Sequence, residues 1–227
     1  MPKKESLRKQ LLLSQSQEDY IKAIYQLRGN NTYVSTTELA RRLKVTPASA
    51  TEMLRKLAKL GLVVHDNYKG ATLTELGEKV ALEMIRHHRL IELFLTEILG
   101  YTWDEVHDEA EQLEHSISER MEERISEVLG WPDLDPHGDP VPTQDGHISN
   151  KVYQPLADCK PGSQVKVMRV SDSDPEILKE LSNMGIELKT QLTIVEKSKY
   201  EGPVHVIVKG KELAIPIGIA RKIFVHK

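Results

Sequence analysis

Ser35-Thr36-Thr37-Glu38-Leu39-Ala40-Arg41-Arg42-Leu43-Lys44-Val45-Thr46-Pro47-Ala48-Ser49-Ala50 is the run on which the reading of this chain turns. Ser35 followed three residues later by Glu38 is a capping signature, and it opens a short helix from Glu38 to Leu43. Lys44-Val45-Thr46 then form a tight turn, and Pro47 stands where proline is accepted, in the first turn of a second helix. That helix spans residues 48–60, with Met53, Leu54, Leu57 and Leu60 on its apolar face and Gly61 ending it. Two short helices joined this way make a helix-turn-helix. The strand-like runs Leu62-Val63-Val64-His65 and Ala71-Thr72-Leu73-Thr74 flank the turn-rich Asp66-Asn67-Tyr68-Lys69-Gly70, which adds a β-hairpin wing.

On the N-terminal side, residues 3–28 read as one helix, with Leu7, Leu11, Tyr20, Ile21, Ile24, Tyr25 and Leu27 at three and four spacings and Gly29-Asn30-Asn31 stopping it. On the other side, Thr74 caps a helical pattern that continues to about Leu99. Further helices cover Trp103 to about Ser116 and a segment ending at Leu129, and Gly130-Trp131-Pro132 closes the helical region. Residues 131–150, rich in Pro, Gly, Asp and His, read as a linker or long connection. Short strands follow at 166–170, 191–195, 204–208, 212–215 and 223–225, separated by Gly and Pro turns, which suggests a small β-barrel. The expected organisation is multidomain α+β: a winged helix-turn-helix over 1–73, an all-α domain over 74–146, and a β-domain with its linker over 147–227.

Composition agrees with a folded chain. Of 227 residues, 39% are apolar and 29% charged, enough to bury cores behind a solvated surface. No window reaches the ~18 uninterrupted apolar residues of a membrane helix, and the basic start lacks the apolar stretch of a secretory signal, so a cytoplasmic protein is expected. The single cysteine, Cys159, leaves any metal to His, Asp and Glu. The net charge of −3 hides a segregation of +7 over 1–73, −14 over 74–146 and +4 over 147–227. A basic head beside an acidic middle points to a polyanion at one end and a cation at the other.

For the head, the geometry of helix-turn-helix docking puts the second helix in the major groove of double-stranded DNA. Pro47, Ala48, Ser49 and Thr51 would then face base edges, while Arg41, Arg42, Lys44, Arg55, Lys56 and Lys69 contact phosphates. Small hydroxyl and apolar readers give modest direct specificity, so phosphate contacts carry much of the affinity, and two copies are needed.

In the acidic middle, Val106-His107-Asp108-Glu109-Ala110-Glu111-Gln112-Leu113-Glu114-His115 is the sharpest signal. At ~100° per residue, taking His107 as zero, Glu111 falls near ~40°, Glu114 near ~−20° and His115 near ~80° of one helix face. A rise of ~1.5 Å per residue separates His107 from His115 by about 12 Å, too far for one ion. Glu111, Glu114 and His115 therefore form one group, and His107 pairs elsewhere. The preceding helix offers His88 and Glu92 one turn apart. No catalytic signature is present: the chain lacks H-E-x-x-H, a nucleophile elbow and a phosphate loop.

At these residues the chain resembles the diphtheria toxin repressor family of metal-activated transcription regulators. The resemblance rests on Glu18-Asp19-Tyr20-Ile21, His88-Arg89-Leu90-Ile91-Glu92, and Val106 to His115, three motifs in the family's order. It implies a winged helix, a helical metal-binding dimerisation domain and a C-terminal SH3-like (FeoA-like) domain. It implies a primary site of Asp19, Glu111, Glu114 and His115, and an ancillary site of His88, Glu92 and His107 completed by His137 and Asp172. Iron-sensing members carry a methionine and a cysteine where this chain has Asp19 and Glu111. The all-oxygen-and-nitrogen set suits Mn²⁺ better, with Fe²⁺ as second candidate. Lys22 stands where a branch binding two adjacent ions has a Glu, which argues against a paired-ion site.

The function so implied is a non-enzymatic, metal-dependent repressor of metal-uptake genes, acting as a homodimer on operator DNA without a membrane partner. Two alternatives accompany it: a DNA-binding regulator answering a non-metal signal, and a metal-buffering or hydrolytic protein whose winged helix only docks a partner.

Overall fold

The computed structural model describes residues 7–29, 32–149, 151–172, 174–198 and 201–226. The described residues fall into two compact units. The first comprises Met1–His88, Leu113–Arg124 and Pro142–Ile148, the second Arg89–Gln112, Ile125–Val141 and Ser149–Lys227.

The first unit holds α1 (Leu7–Gln10), α2 (Gln15–Arg28), α3 (Thr36–Arg42), α4 (Pro47–Lys59), β1 (Val63–Asp66) and β2 (Gly70–Leu73). The helix expected over 3–28 is broken. Leu12 takes the left-handed φ of +52°, and Ser14 with Gln17 forms a reciprocal capping box that starts α2 afresh. Residues 3–6 and Asn30-Asn31 of that expectation lie outside the described residues. The cap read from the sequence is present, with Ser35 accepting from the Glu38 N–H; Thr46, expected only as part of the turn, accepts from the Ser49 N–H, with Pro47 in the first turn. The turn between α3 and α4 is made by Lys44 at φ +54° rather than by glycine. Strands β1 and β2 pair antiparallel as the wing. Gly70, at φ +103°, lies so close to the Val34 carbonyl that a β-carbon would sit 2.0 Å from it, so only glycine closes the wing there. Tyr20, Ile21, Ile24, Leu39, Leu54, Leu57 and Leu73 share one core with the Val34–Ala71 bridge across it.

Helix α5 (Glu75–Glu97) follows, introduced by Thr74, whose hydroxyl accepts from the Gly77 N–H. Next come α6 (Val106–Leu113) and α7 (Glu119–Val128). The helix expected to reach Ser116 stops at Leu113, so Glu114 and His115 occupy the turn after it. Ser116 N–H closes that turn on the Leu113 carbonyl, and Ser118 accepts from the Met121 N–H at the start of α7.

In the second unit, an antiparallel sheet of order β3-β8-β4-β5-β6-β7 comprises β3 (Gln154–Pro155), β4 (Gln164–Val170), β5 (Gln191–Lys197), β6 (Val204–Val208), β7 (Lys211–Ile215) and β8 (Ile223–His226). Register shifts at Val167/Arg169 and Ile194/Glu196 bend its strands. Helices α8 (Pro175–Asn183) and α9 (Ile217–Ala220), which the sequence reading passed over, close its core through Leu178, Leu181, Ile219 and Ala220. Of the stretch 131–150, residues 131–149 are described, and they form a long, partly buried connection rather than a free linker. Asp135, His137 and Val141 are buried, Asp135 accepts from the N–H groups of His137 and Asp139, and Val170 N–H bonds the His137 carbonyl.

Candidate metal centre and nucleic-acid interface

Within the first unit, α2 and the turn after α6 bring Asp19, Glu114 and His115 together, each offering one donor atom within 4.8 Å of the others. His115 Nε2 lies 3.0 Å from Asp19 Oδ1 and 3.6 Å from Glu114 Oε1. Its Nδ1 is held by Glu18 Oε2 at 2.6 Å, which fixes the ring with Nε2 toward the other two donors. Burial works against the charged ring, but Asp19 and Glu18 as hydrogen-bond acceptors and the charge of Glu114 outweigh it and raise the His115 pKa from 6.5 to about 9. Glu114 is wholly buried. Lys22 Nζ reaches its Oε1 at 2.6 Å and Oε2 at 2.8 Å, and His88 Nδ1 meets Oε2 at 2.6 Å.

Arg8, on α1, clamps this turn. Its guanidinium donates to the carbonyls of Glu114 (3.3 Å), His115 (3.0 Å) and Ile117 (2.8 Å) and lies 3.5 Å from both Glu18 and Glu83. Neither Arg8 nor the orienting role of Glu18 was evident in the sequence. Glu18 and Lys22, one helical turn apart, have the spacing of a solvent-exposed ion pair. Both are buried instead and pair with residues far along the chain.

In the second unit, Glu92, His137 and Asp172 also place donors within 4.8 Å of one another. His107 Nδ1 lies 3.4 Å from Glu92 Oε1 and 3.8 Å from Asp172 Oδ2. His137 Nε2 faces the Trp103 carbonyl at 2.7 Å. Its buried Nδ1 has no hydrogen-bond partner among the described residues and stands 3.9 Å from Glu92 Oε2. An imidazole pinned through one nitrogen, with the other directed at carboxylates, is the arrangement of a ligand histidine. Burial opposes its protonation, and the charges of Glu92 and Asp135 overcome that, so its pKa is raised. The ring stacks on Trp103, with centroids 6.1 Å apart. Arg89 Nε pairs with Asp135 at 3.2 Å, and Arg169 pairs with Asp139 at 3.3 Å, holding the 133–141 loop. Glu111 lies in the second unit and His88 in the first, so each of the expected donor sets has one member outside the unit that holds the rest.

Donors around one first-row divalent ion, at about 2.0–2.2 Å from it, are spaced by up to about 4.4 Å. Both groups need only small adjustment to reach this spacing. Their carboxylate and imidazole composition, with a buried His137 nitrogen that has no hydrogen-bond partner among the described residues, fits a borderline-to-hard divalent cation.

Of the expected DNA readers, Pro47, Ala48 and Ser49 are exposed at the start of α4, and Thr51 is half-buried. Thr51 spends its hydroxyl proton on the Pro47 carbonyl at 2.8 Å, and the Ser49 hydroxyl pairs with Thr46 at 2.9 Å. One proton of the Thr46–Ser49 hydroxyl pair stays free to donate, beside the apolar surface of Pro47 and Ala48. Lys69 is exposed at the wing tip with its ammonium 5.7 Å from the Tyr33 ring. Arg41, Arg42, Lys44, Arg55 and Lys56 are also exposed.

Known proteins agree with this architecture. Residues 12–71 match the iron-dependent repressor N-terminal DNA-binding domain, 74–143 the iron-dependent repressor metal-binding and dimerisation domain, and 154–227 the FeoA domain. The chain is 40% identical to a solved manganese-dependent transcriptional repressor in complex with manganese, with a TM-score of 0.86 over 92% of this chain and 98% of that one. It is 28% identical to the iron-dependent repressor IdeR of Mycobacterium leprae over 92% of this chain and 96% of the relative. It is 36% identical to the transcriptional regulator MntR of Lysinibacillus sphaericus over 50% of this chain and 81% of the relative. With a winged helix, a metal-binding and dimerisation domain and a FeoA-type β-domain in that order, the chain belongs to the diphtheria toxin repressor family of metal-dependent DNA-binding transcriptional repressors.

Proposed function

We propose that this protein is a Mn²⁺-responsive repressor, with Fe²⁺ as the second candidate, that binds operator DNA as a homodimer and controls metal-uptake genes. The single observation that carries the metal assignment is the donor set: Asp19, Glu114 and His115 contain oxygen and nitrogen only, which suits Mn²⁺ better than a set with sulfur. Glu92, His107, His137 and Asp172 form the ancillary group. The resemblance adds Glu111 to the first set and His88 to the second. A divalent cation supplies the positive charge that lets buried carboxylates share one site. Asp19 lies on α2, which packs in the winged-helix core through Tyr20, Ile21 and Ile24, so ligation by Asp19 orients the head. In a two-fold dimer that orientation sets the spacing of two α4 helices near one DNA turn, ~34 Å, and selects the binding-competent state. Pro47, Ala48, Ser49 and Thr51 meet bases, and Lys69 meets the backbone.

The test is binding of the purified protein to its own upstream DNA at fixed salt, after chelation and then with Mn²⁺, Fe²⁺ (anaerobic) or Zn²⁺. Binding that appears with metal, foremost Mn²⁺, supports the reading. Metal-independent binding leaves a regulator of another signal, and no binding sinks the operator assignment.

The proton on His115 gives a second test. Ligation through Nε2 displaces a proton held up to about 9, so Mn²⁺ affinity should rise by about tenfold per pH unit from 6.5 and level off above 9. Stability of the chelated protein should run the other way. The raised pKa contributes fully below 6.5 and is lost as pH rises through 9. Titrations across that window check both, and a flat Mn²⁺ affinity would exclude His115 Nε2 as a ligand.

A further inference from the structure

Lys22 is 4% exposed and Glu114 is 0% exposed. An ammonium so placed is a strong counter-charge: a buried carboxylate is costly without one, and the low local dielectric strengthens the pair. Lys22 and Asp19 lie three residues apart on α2, so one helix presents a prospective ligand and a competing cation to the same carboxylate. The competition is directional. Lys22 Nζ is closest, at 2.6 Å, to Oε1, the oxygen that stands 3.6 Å from His115 Nε2 and hence faces the donor group.

We propose that Lys22 is a threshold-setting residue of the Asp19–Glu114–His115 centre: its ammonium is a built-in cation on Glu114 with which a divalent ion must compete, so Lys22 lowers metal affinity. The proposal rests on the reading of these residues as a metal centre. Lys22 acts through Glu114 as a positioning residue. The consequence for regulation is a raised activating concentration: the protein ignores a divalent ion until its level is high enough to take Glu114 from the lysine.

The experiment is Mn²⁺ binding by the full chain after chelation, read by calorimetry and by the paramagnetic resonance signal of unbound Mn²⁺, together with melting temperature in chelator. Wild type, Lys22→Met, Lys22→Gln, Lys22→Arg and Asp19→Ala are compared at one pH. Removing the charge in Lys22→Met should tighten Mn²⁺ binding by at least about tenfold, the scale of a charge-assisted hydrogen bond relieved, and lower the melting temperature in chelator. Lys22→Gln, which keeps a donor to Glu114 without the charge, should tighten binding likewise and covers the case in which Lys22→Met does not fold. Lys22→Arg keeps the charge and should stay near wild type. A merely space-filling lysine would not separate Arg from Gln. Unchanged or weaker Mn²⁺ binding in the neutral variants overturns the proposal. Wild-type affinity in Asp19→Ala instead overturns the metal-centre reading, and the proposal with it.

Discussion

Asp19→Ala should uncouple DNA binding from metal, lowering operator affinity in Mn²⁺ by about a hundredfold, toward the upper end of coupling between two ligands. The Asp19 side chain is 38% exposed, and its Oδ1 lies 3.0 Å from His115 Nε2. Its neighbours Tyr20 and Ile21 bury α2 without it. The fold and the dimer should therefore survive, as judged by melting temperature and size-exclusion chromatography. The loss falls on the proposed ligand carried by the helix that builds the winged-helix core, so the defect should appear only when metal is present. Fluorescence anisotropy on operator DNA, with chelator and with Mn²⁺, reads it directly. Retained metal-responsive binding would mean that Asp19 does not link the ion to the head.

A second large effect is expected at Arg8, and it is a loss of stability. Arg8 is 2% exposed, and its guanidinium donates to the carbonyls of Glu114, His115 and Ile117 beside Glu18 and Glu83. Arg8→Met leaves those carbonyls without their donor and removes a cation from beside two carboxylates, at a cost of about 3–5 kcal/mol. Arg8→Lys should recover little, because one ammonium cannot span three carbonyls as a planar fork does. Urea denaturation in chelator measures both. An Arg8→Met protein within about 1 kcal/mol of wild type, the range of an exposed ion pair, would show the clamp to be idle.

The winged helix was legible because each boundary is written in local chemistry. Ser35 caps α3, Pro47 starts α4, and the glycine at position 70 fits only where the Val34 carbonyl crowds it. The donors in the middle were legible as residue types but only partly as geometry. One helix through His115 would put Glu111, Glu114 and His115 on one face, whereas α6 ends at Leu113 and a turn sets Glu114 and His115. Turn and helix place the same residues differently, and no local signal in Glu111-Gln112-Leu113 marks the stop. Partners distant in sequence were invisible: nothing beside Lys22 announces Glu114, and nothing beside Arg8 announces Ile117. The 131–150 segment misled for a related reason. Its prolines and glycines read as a tether, but Asp135 accepts from two backbone N–H groups and Gly138 fits against the Met168 carbonyl, where a β-carbon would lie 2.1 Å away. Those residues make a packed loop, and His137 is delivered by it.

The stacking of Trp103 on His137 has an optical consequence. The chain has two tryptophans, Trp103 and Trp131, and both belong to the unit that contains Glu92, His107, His137 and Asp172. Trp103 also donates from its indole to Ser182 at 2.7 Å, so its ring is held in place while the charge beside it changes. Indole emission is sensitive to a cation moving against its face. The intrinsic fluorescence of the native protein is thus a reporter for events at His137, whereas the unit that contains Asp19, Glu114 and His115 has no indole. One spectrum, followed alongside calorimetry, should separate metal binding proposed at the His137 group from that proposed at the Asp19 group without a label or a substitution.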